Sequence, residues 1–214
     1  MTMLYGYFRS SAAYRVRIAL NLKDLAYDQV PVNLVKGEQR SETFRAHNPQ
    51  GLVPALVTDD GTTLTQSLAI CEYLEELHPS PALLPLEPAE RARVRALAQL
   101  VACEIHPLNN LRILKYLVHE LKVDDEAKQA WYRHWVTTGF DPLEAMLSRE
   151  AGSGDFCHGD APTLADVCLV PQVFNAERFE CDLSTYPRIR RIAANCRALP
   201  AFQQAAPNEQ PDAS

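Results

Sequence analysis

Residues 78–88, His-Pro-Ser-Pro-Ala-Leu-Leu-Pro-Leu-Glu-Pro, carry four prolines in a stretch with no hydrophobic period. Proline fixes φ and lacks an amide hydrogen, so neither a helix nor a central strand runs through such a segment. It reads as a linker. It divides the 214-residue chain into parts with different periodicities. Before it, short apolar runs alternate with a helical pattern. After it, the spacing is helical almost to the end. The expectation is an α/β domain over 1–80 and an all-α domain over 88–214, each long enough for its own core.

The first part is organised around residues 3–23. Met3 to Tyr7 reads as a strand, and Ala13, Val16 and Leu20 repeat as the apolar face of a helix. Arg9-Ser10-Ser11 therefore sit at a strand-to-helix turn. The first amides of a helix have no partner within it, and the aligned peptide dipoles make that end partly positive. An anion or thiolate is stabilised there. The plain alternative is that one of the serines only caps the helix. Val30, Val32 and Leu34 suggest a second strand, placed at an edge by Pro31. Residues 36–48 read as a loop with a short helical piece. Asn48-Pro49-Gln50-Gly51 is a turn, followed by the run Leu52–Val57. Asp59-Asp60-Gly61 makes a hairpin into Thr62–Leu64, and Gln66-Ser67 opens a helix with apolar face Ile70, Tyr73, Leu74 and Leu77. The order β-α-β-(α)-β-β-α describes a mixed-sheet unit.

Beyond the linker, Val94, Leu97, Ala98, Val101 and Ile105 form one helical face, interrupted at Pro107. Leu111, Leu114, Leu117, Val118 and Leu121 form another. Trp131, Trp135, Leu143 and Met146 mark a third helix, ending before Ala151-Gly152-Ser153-Gly154; the tryptophans read as core or interface. Thr163-x-x-Asp166 has the spacing of a capping box and reads as a folding device. Pro187 suits the first turn of a last helix carrying Ile189, Ile192, Ala193 and Cys196. The tail 206–214 is expected to be disordered or loosely packed.

Charge and cysteine usage exclude several function classes. A net charge of −6 argues against nucleic acid as the main partner. It leaves room for a small acidic ligand held by local arginines. The six cysteines show no C-x-x-C pairing, and Cys71, Cys103, Cys168 and Cys196 fall in helical apolar patterns. They read as small buried hydrophobes in a reducing compartment, ahead of disulfides or a zinc site. No apolar run reaches membrane-spanning length and no basic-then-apolar signal opens the chain, so a cytoplasmic protein is expected.

Three groups of residues make the likeness to a family specific. Ser10-Ser11-x-x-Tyr14-Arg15-Val16-Arg17-Ile18-Ala19-Leu20 is similar to the signature S-S-C-x-W-R-V-R-I-A-L of zeta-class glutathione transferases. Asn48-Pro49-x-x-x-Val53-Pro54 and Gln66-Ser67-Leu68-Ala69-Ile70 resemble the family's glutathione-binding segments. Pro171-Gln172-Val173-x-Asn175-Ala176-Glu177-Arg178-Phe179, with Asp182-Leu183 and Tyr186-Pro187, resembles the class's C-terminal pattern. The resemblance covers nearly the whole chain. It implies the glutathione transferase fold, an α/β thioredoxin-like N-terminal domain plus an all-α C-terminal domain, and homodimerisation across the two. It also implies glutathione-dependent cis–trans isomerisation of maleylacetoacetate, in tyrosine and phenylalanine breakdown, with maleylpyruvate as the runner-up substrate. General glutathione conjugation and a non-catalytic binding role are the remaining alternatives. Ala12 stands where the signature has cysteine, and Tyr14 where it has tryptophan. That departure fits a reaction whose nucleophile is the sulfur of glutathione.

The resemblance distributes roles residue by residue. Ser10, with Ser11 second, is expected to hydrogen-bond the thiolate, whose ordinary thiol pKa of about 8.5 must be lowered. Val53, with a cis Pro54 after it, would pair with the cysteinyl backbone as a short added strand. Ser67 would take the γ-glutamyl carboxylate at a helix start, with Gln66, Gln39, His106 and Asn110 as further glutathione contacts. The substrate is a dianion, and arginine suits bidentate carboxylate capture. Arg9, Arg112 and Arg178 are assigned to it. Arg178 is expected within an otherwise apolar helix, where an unpaired charge is costly; a salt bridge to Glu177 or to a nearby acid is its plain alternative.

Overall fold

The structure is a computed structural model and describes residues 1–149 and 152–213. The chain divides into two compact units, Met1–Leu83 with Ala198–Ser214, and Leu84–Arg197.

In the first unit, β1 (Met3–Gly6), β2 (Asp28–Pro31), β3 (Ala55–Val57) and β4 (Thr63–Thr65) form one sheet in the order β2-β1-β3-β4. β1 and β2 are parallel, joined by α1 (Ser11–Leu22), whereas β1–β3 and β3–β4 are antiparallel. Pro31 closes the edge strand, where its missing amide costs no sheet hydrogen bond. The short piece expected in 36–48 is α2 (Glu42–His47), capped by Ser41. Thr58 and Thr62 close the hairpin around Gly61, whose φ of 85° favours glycine. α3 (Ser67–Leu77) packs on α1 and buries Ile70 and Leu74, while Leu77 is exposed.

The tail departs from expectation. Residues 198 onward pack on the first unit instead of extending the helical domain. α9 (Pro200–Ala205) lies against α1. The buried Arg17 donates from Nε to Ala205 O (2.9 Å) and from Nη2 to Phe8 O (3.0 Å). Asp212 accepts from Phe8 N at 3.0 Å, and Gln210 is buried on bonds to Gln204 O and Ala206 O. Polar composition suggested a loose end, but these bonds hold it. The linker is anchored as well. Lys23 donates to Glu75 (2.7 Å), to His78 O and to Pro81 O, and Leu83 N donates to Glu75.

The second unit is helical: α4 (Pro88–Gln99), a π-helical stretch Leu100–Ile105, α5 (Leu111–His119), α6 (Asp125–Arg149), α7 (Leu164–Arg178) and α8 (Pro187–Arg197). The stripe Val94, Leu97, Ala98, Val101 and Ile105 is buried throughout, each large member contributing on the order of 1.5–3 kcal/mol. Gly139 of α6 sits where a Cβ would come within 2.2 Å of Ile105 Cγ1, so glycine permits the close approach of helix and π stretch. α6 runs through Pro142. Of the turn expected after it, Ala151 lies outside the described residues. α7 starts with a capping box: Asp166 accepts from Thr163 N and Oγ1, both at 2.8 Å, and from Cys157 N. Of the face expected on α5, Leu114 and Leu117 are buried, whereas Leu111 and Leu121 are exposed. Cys71, Cys157, Cys168 and Cys196 are buried; Cys103, expected inside, is exposed on the π stretch.

Candidate active site

The sheet register gathers the expected glutathione-binding segments of the first unit at one end. Tyr5 pairs with Ala55 and Ala55 with Thr65. Extending those pairs by one residue sets Gly6 beside Pro54 and Pro54 beside Gln66. The turn after β1, the start of β3 and the junction of β4 with α3 therefore share one edge of the sheet. Ser10 follows three residues after Tyr7 and is tied to it by Ser10 N donating to Tyr7 O (2.9 Å).

Ser10 is the N-cap of α1, its Oγ accepting from Ala13 N at 3.2 Å. The capping role is thus real, and it is compatible with anion binding: the oxygen accepts while its proton remains a donor. Ser11 is the first helical residue and is buried. Arg9 is exposed, its guanidinium 4.6 Å from the Phe8 ring centre. The Val53–Pro54 peptide is cis, and Val53 lies one position beyond Pro54, past the last β1–β3 pair. Gly51 has φ 63°, and a Cβ there would come within 3.0 Å of Gln39 O, so the turn closes onto the segment carrying Gln39. Gln39 Oε1 is buried with no hydrogen-bond partner. Gln66 is exposed with φ 69°, its Nε2 donating to Gln50 Oε1 at 2.9 Å. Ser67, the first residue of α3, is buried and accepts from Arg15 Nη1 at 3.3 Å.

The donor set fits a short anionic peptide. It offers two helix N-termini, hydroxyls at both, an extended main-chain segment and an unpartnered amide oxygen. Two positions escaped the sequence reading. Gln50 lay in a stretch read only as a turn. Arg15 belongs to the signature-like stretch after Ser10-Ser11 and has no role in it; it lies off the Ala13–Val16–Leu20 face, so the apolar period gives no sign of its burial. Burial, opposed by Tyr27 and Tyr14, lowers the Arg17 pKa to about 10. Burial also pushes the Cys157 and Cys196 thiols up, with Asp166 adding to it. Those sulfurs stay protonated and are poor nucleophiles.

In the second unit, His106 follows the π stretch half-buried, its N donating to Val101 O. Asn110 is the N-cap of α5, accepting from Arg112 N at 3.1 Å, and the Arg112 side chain is exposed. The break is held by α6: Trp131 Nε1 donates to Leu108 O and Asn109 Nδ2 to Tyr132 O. Arg178 corrects an expectation. It ends α7 and is exposed, with its guanidinium 4.8 Å from the Phe179 ring centre; Phe179 stacks on the buried Tyr132 at 3.7 Å. Glu177 pairs bidentately with Arg197 (2.9 and 2.8 Å).

Residues 4–82 match the model of the glutathione S-transferase N-terminal domain. The chain is 56% identical to a probable maleylacetoacetate isomerase of Vibrio cholerae over 99% of this chain and 98% of that one. Among solved structures, it is similar to holo maleyl pyruvate isomerase, a bacterial zeta-class glutathione S-transferase (TM-score 0.97, 49% identity, 99% and 100% covered). A maleylacetoacetate isomerase from Methylobacterium extorquens AM1 with bound malonate and GSH gives a TM-score of 0.96 at 47% identity, with 99% of both chains covered. The chain belongs to the glutathione S-transferase family. Within that family it falls in the zeta class.

Proposed function

We propose that the chain is a glutathione-dependent cis–trans isomerase that converts maleylacetoacetate to fumarylacetoacetate in tyrosine and phenylalanine breakdown. The observation that carries this reading is the convergence of Ser10-Ser11, Val53-Pro54 and Gln66-Ser67 at one sheet edge. Full-length likeness to isomerases of that substrate supports it. Glutathione, when bound, supplies a thiolate for reversible addition to a conjugated double bond.

The chain's own residues do the rest. The Ser10 hydroxyl, with Ser11 beside it, donates to the sulfur, and the amides at the start of α1 favour its ionised form. Val53 holds the cysteinyl backbone as an added strand, and Ser67, Gln66 and Gln39 hold the γ-glutamyl part. His106 and Asn110 are assigned as further contacts. Arg9, Arg112 and Arg178 take the substrate carboxylates by charge-assisted hydrogen bonds, which also favour charge developing on the adjacent carbonyl. The protein acts as a cytoplasmic homodimer. No helix among the described residues is long and apolar enough to cross a membrane. Maleylpyruvate is the second reading, favoured by the zeta-class maleyl pyruvate isomerase likeness.

The test is the loss of cis-enol absorbance of both substrates, with and without glutathione, for wild type and Arg178→Ala. Turnover of maleylacetoacetate is expected only with glutathione, and the variant should lose about 1.5–3 kcal/mol in kcat/KM, roughly 10- to 150-fold. Faster turnover of maleylpyruvate moves the assignment to it. No glutathione-dependent turnover of either refutes the proposal.

A further inference from the structure

Three cations of α1 and its C-cap are buried, Arg15, Arg17 and Lys23, with 2%, 1% and 5% exposure. A buried positive charge is costly unless paired and hydrogen-bonded. Arg17 is answered by two carbonyls, Ala205 O and Phe8 O. Lys23 is answered by a carboxylate and two carbonyls. Arg15 is different. Its Nη1 donates to Ser67 Oγ at 3.3 Å, while Nε and Nη2 are buried with no hydrogen-bond partner. Among the described residues it forms no ion pair. Folding gives Arg17 and Lys23 clear tasks, tying the C-terminal segment and the linker; it gives Arg15 none of comparable strength.

Its surroundings indicate what the charge is for. Ser67 opens α3, an 11-residue helix whose first amides have no acceptor within the helix. Because Ser67 Oγ accepts from Arg15, its hydroxyl proton is left to donate to another group. Arg15 also lies four residues after Ser11, on the same face of α1. Hydroxyl, helix end and buried guanidinium thus direct one sign of potential to one place, and an anion there gains from all three. We infer that Arg15 is the buried positive charge of the subsite that takes the γ-glutamyl carboxylate of glutathione, acting through Ser67 as a positioning residue. This rests on the glutathione reading above and adds a member that never touches the ligand itself.

The experiment measures binding to the full-length protein by calorimetry with glutathione, γ-glutamylcysteine and cysteinylglycine. The proteins are wild type, Arg15→Met, Arg15→Lys, Ser67→Ala and the double variant Arg15→Met/Ser67→Ala. Arg15→Met is expected to weaken glutathione and γ-glutamylcysteine about 10-fold or more and leave cysteinylglycine unchanged. Arg15→Lys, which keeps the charge and loses the fork, should weaken the first two by about 3-fold. In the Ser67→Ala background the effect of Arg15→Met should largely vanish. Equal loss for all three ligands, no loss, or full additivity with Ser67→Ala overturns the inference. A wild type that binds no glutathione overturns the functional reading with it; a wild type that binds while the Arg15 variants match it overturns this inference alone. Should Arg15→Met fail to fold, Arg15→Lys with and without Ser67→Ala carries the same decision.

Discussion

Replacing Lys23 by methionine tests how the first unit holds its linker. The side chain of Lys23 is 0% exposed and that of Glu75 7%, with Nζ 2.7 Å from Oε2. The ammonium also answers His78 O and Pro81 O, while Glu75 accepts from Leu83 N. Methionine fills similar volume, so packing changes little, but Glu75 keeps a buried charge without its ammonium. Breaking such a pair from one side costs about 3–5 kcal/mol. That is a large share of a typical folding stability of about 5–15 kcal/mol. For a chain this long it corresponds to a fall in Tm of about 6–20 °C. The double variant Lys23→Met/Glu75→Met removes both charges, and what remains is the cost of stranding backbone groups such as His78 O, Pro81 O and Leu83 N. About 1–3 kcal/mol of loss is expected, less than for the single change. Urea unfolding followed by both fluorescence and circular dichroism gives the numbers, two probes being needed for a chain of two units. A single variant that loses under about 1 kcal/mol, or a double variant worse than the single one, refutes the reasoning.

Other expectations concern packing, pH and the C-terminal segment. Gly139→Ala drives a methyl into Ile105 and should cost about 1–3 kcal/mol in urea unfolding; unchanged stability would mean that the π stretch yields. Burial raises the Asp166 pKa, outweighing the hydrogen bonds from Cys157 and Thr163. The folded state then holds this proton to higher pH than the unfolded chain, so the group's contribution is greatest below the ordinary carboxylate range and declines as pH rises. Between about pH 4 and 7, the stability of wild type minus that of Asp166→Asn should fall with pH; a rising difference sinks the account. Arg17→Met removes both carbonyl contacts and should cost about 2–4 kcal/mol. It should also speed cleavage within 198–213 by limited proteolysis, and equal cleavage rates would count against the tie.

Local patterning made much of the fold legible. Strand and helix order in the first unit, the edge position of Pro31, the Asp59-Asp60-Gly61 hairpin and the Thr163–Asp166 box each depend on residues close in sequence. Ser10 and Ser67 were legible because a helix start is a local event. What escaped depends on tertiary partners. A polar tail signals looseness unless Arg17, some 190 residues earlier, waits for Ala205 O. Arg178 fell in an apolar stretch of sequence, yet it is the last residue of its helix and lies over Phe179, because only the fold decides where that helix leaves the core. The π stretch at Leu100–Ile105 leaves the hydrophobic stripe nearly unchanged while admitting an extra residue, so periodicity registers Pro107 and not the widened turn before it. Cys103 is exposed on that same stretch.

The C-terminal segment gives the first unit an order of assembly. Its sheet and first three helices are complete by residue 77, but α9 arrives only after the whole second unit has been made. On a ribosome, residues 1–83 emerge with the Arg17 guanidinium satisfied by Phe8 O alone and with the α1 surface that α9 covers still open to water. The first unit is therefore the first to be synthesised and the last to be finished. The second unit, made between the two pieces of the first, is a continuous stretch that can settle beforehand.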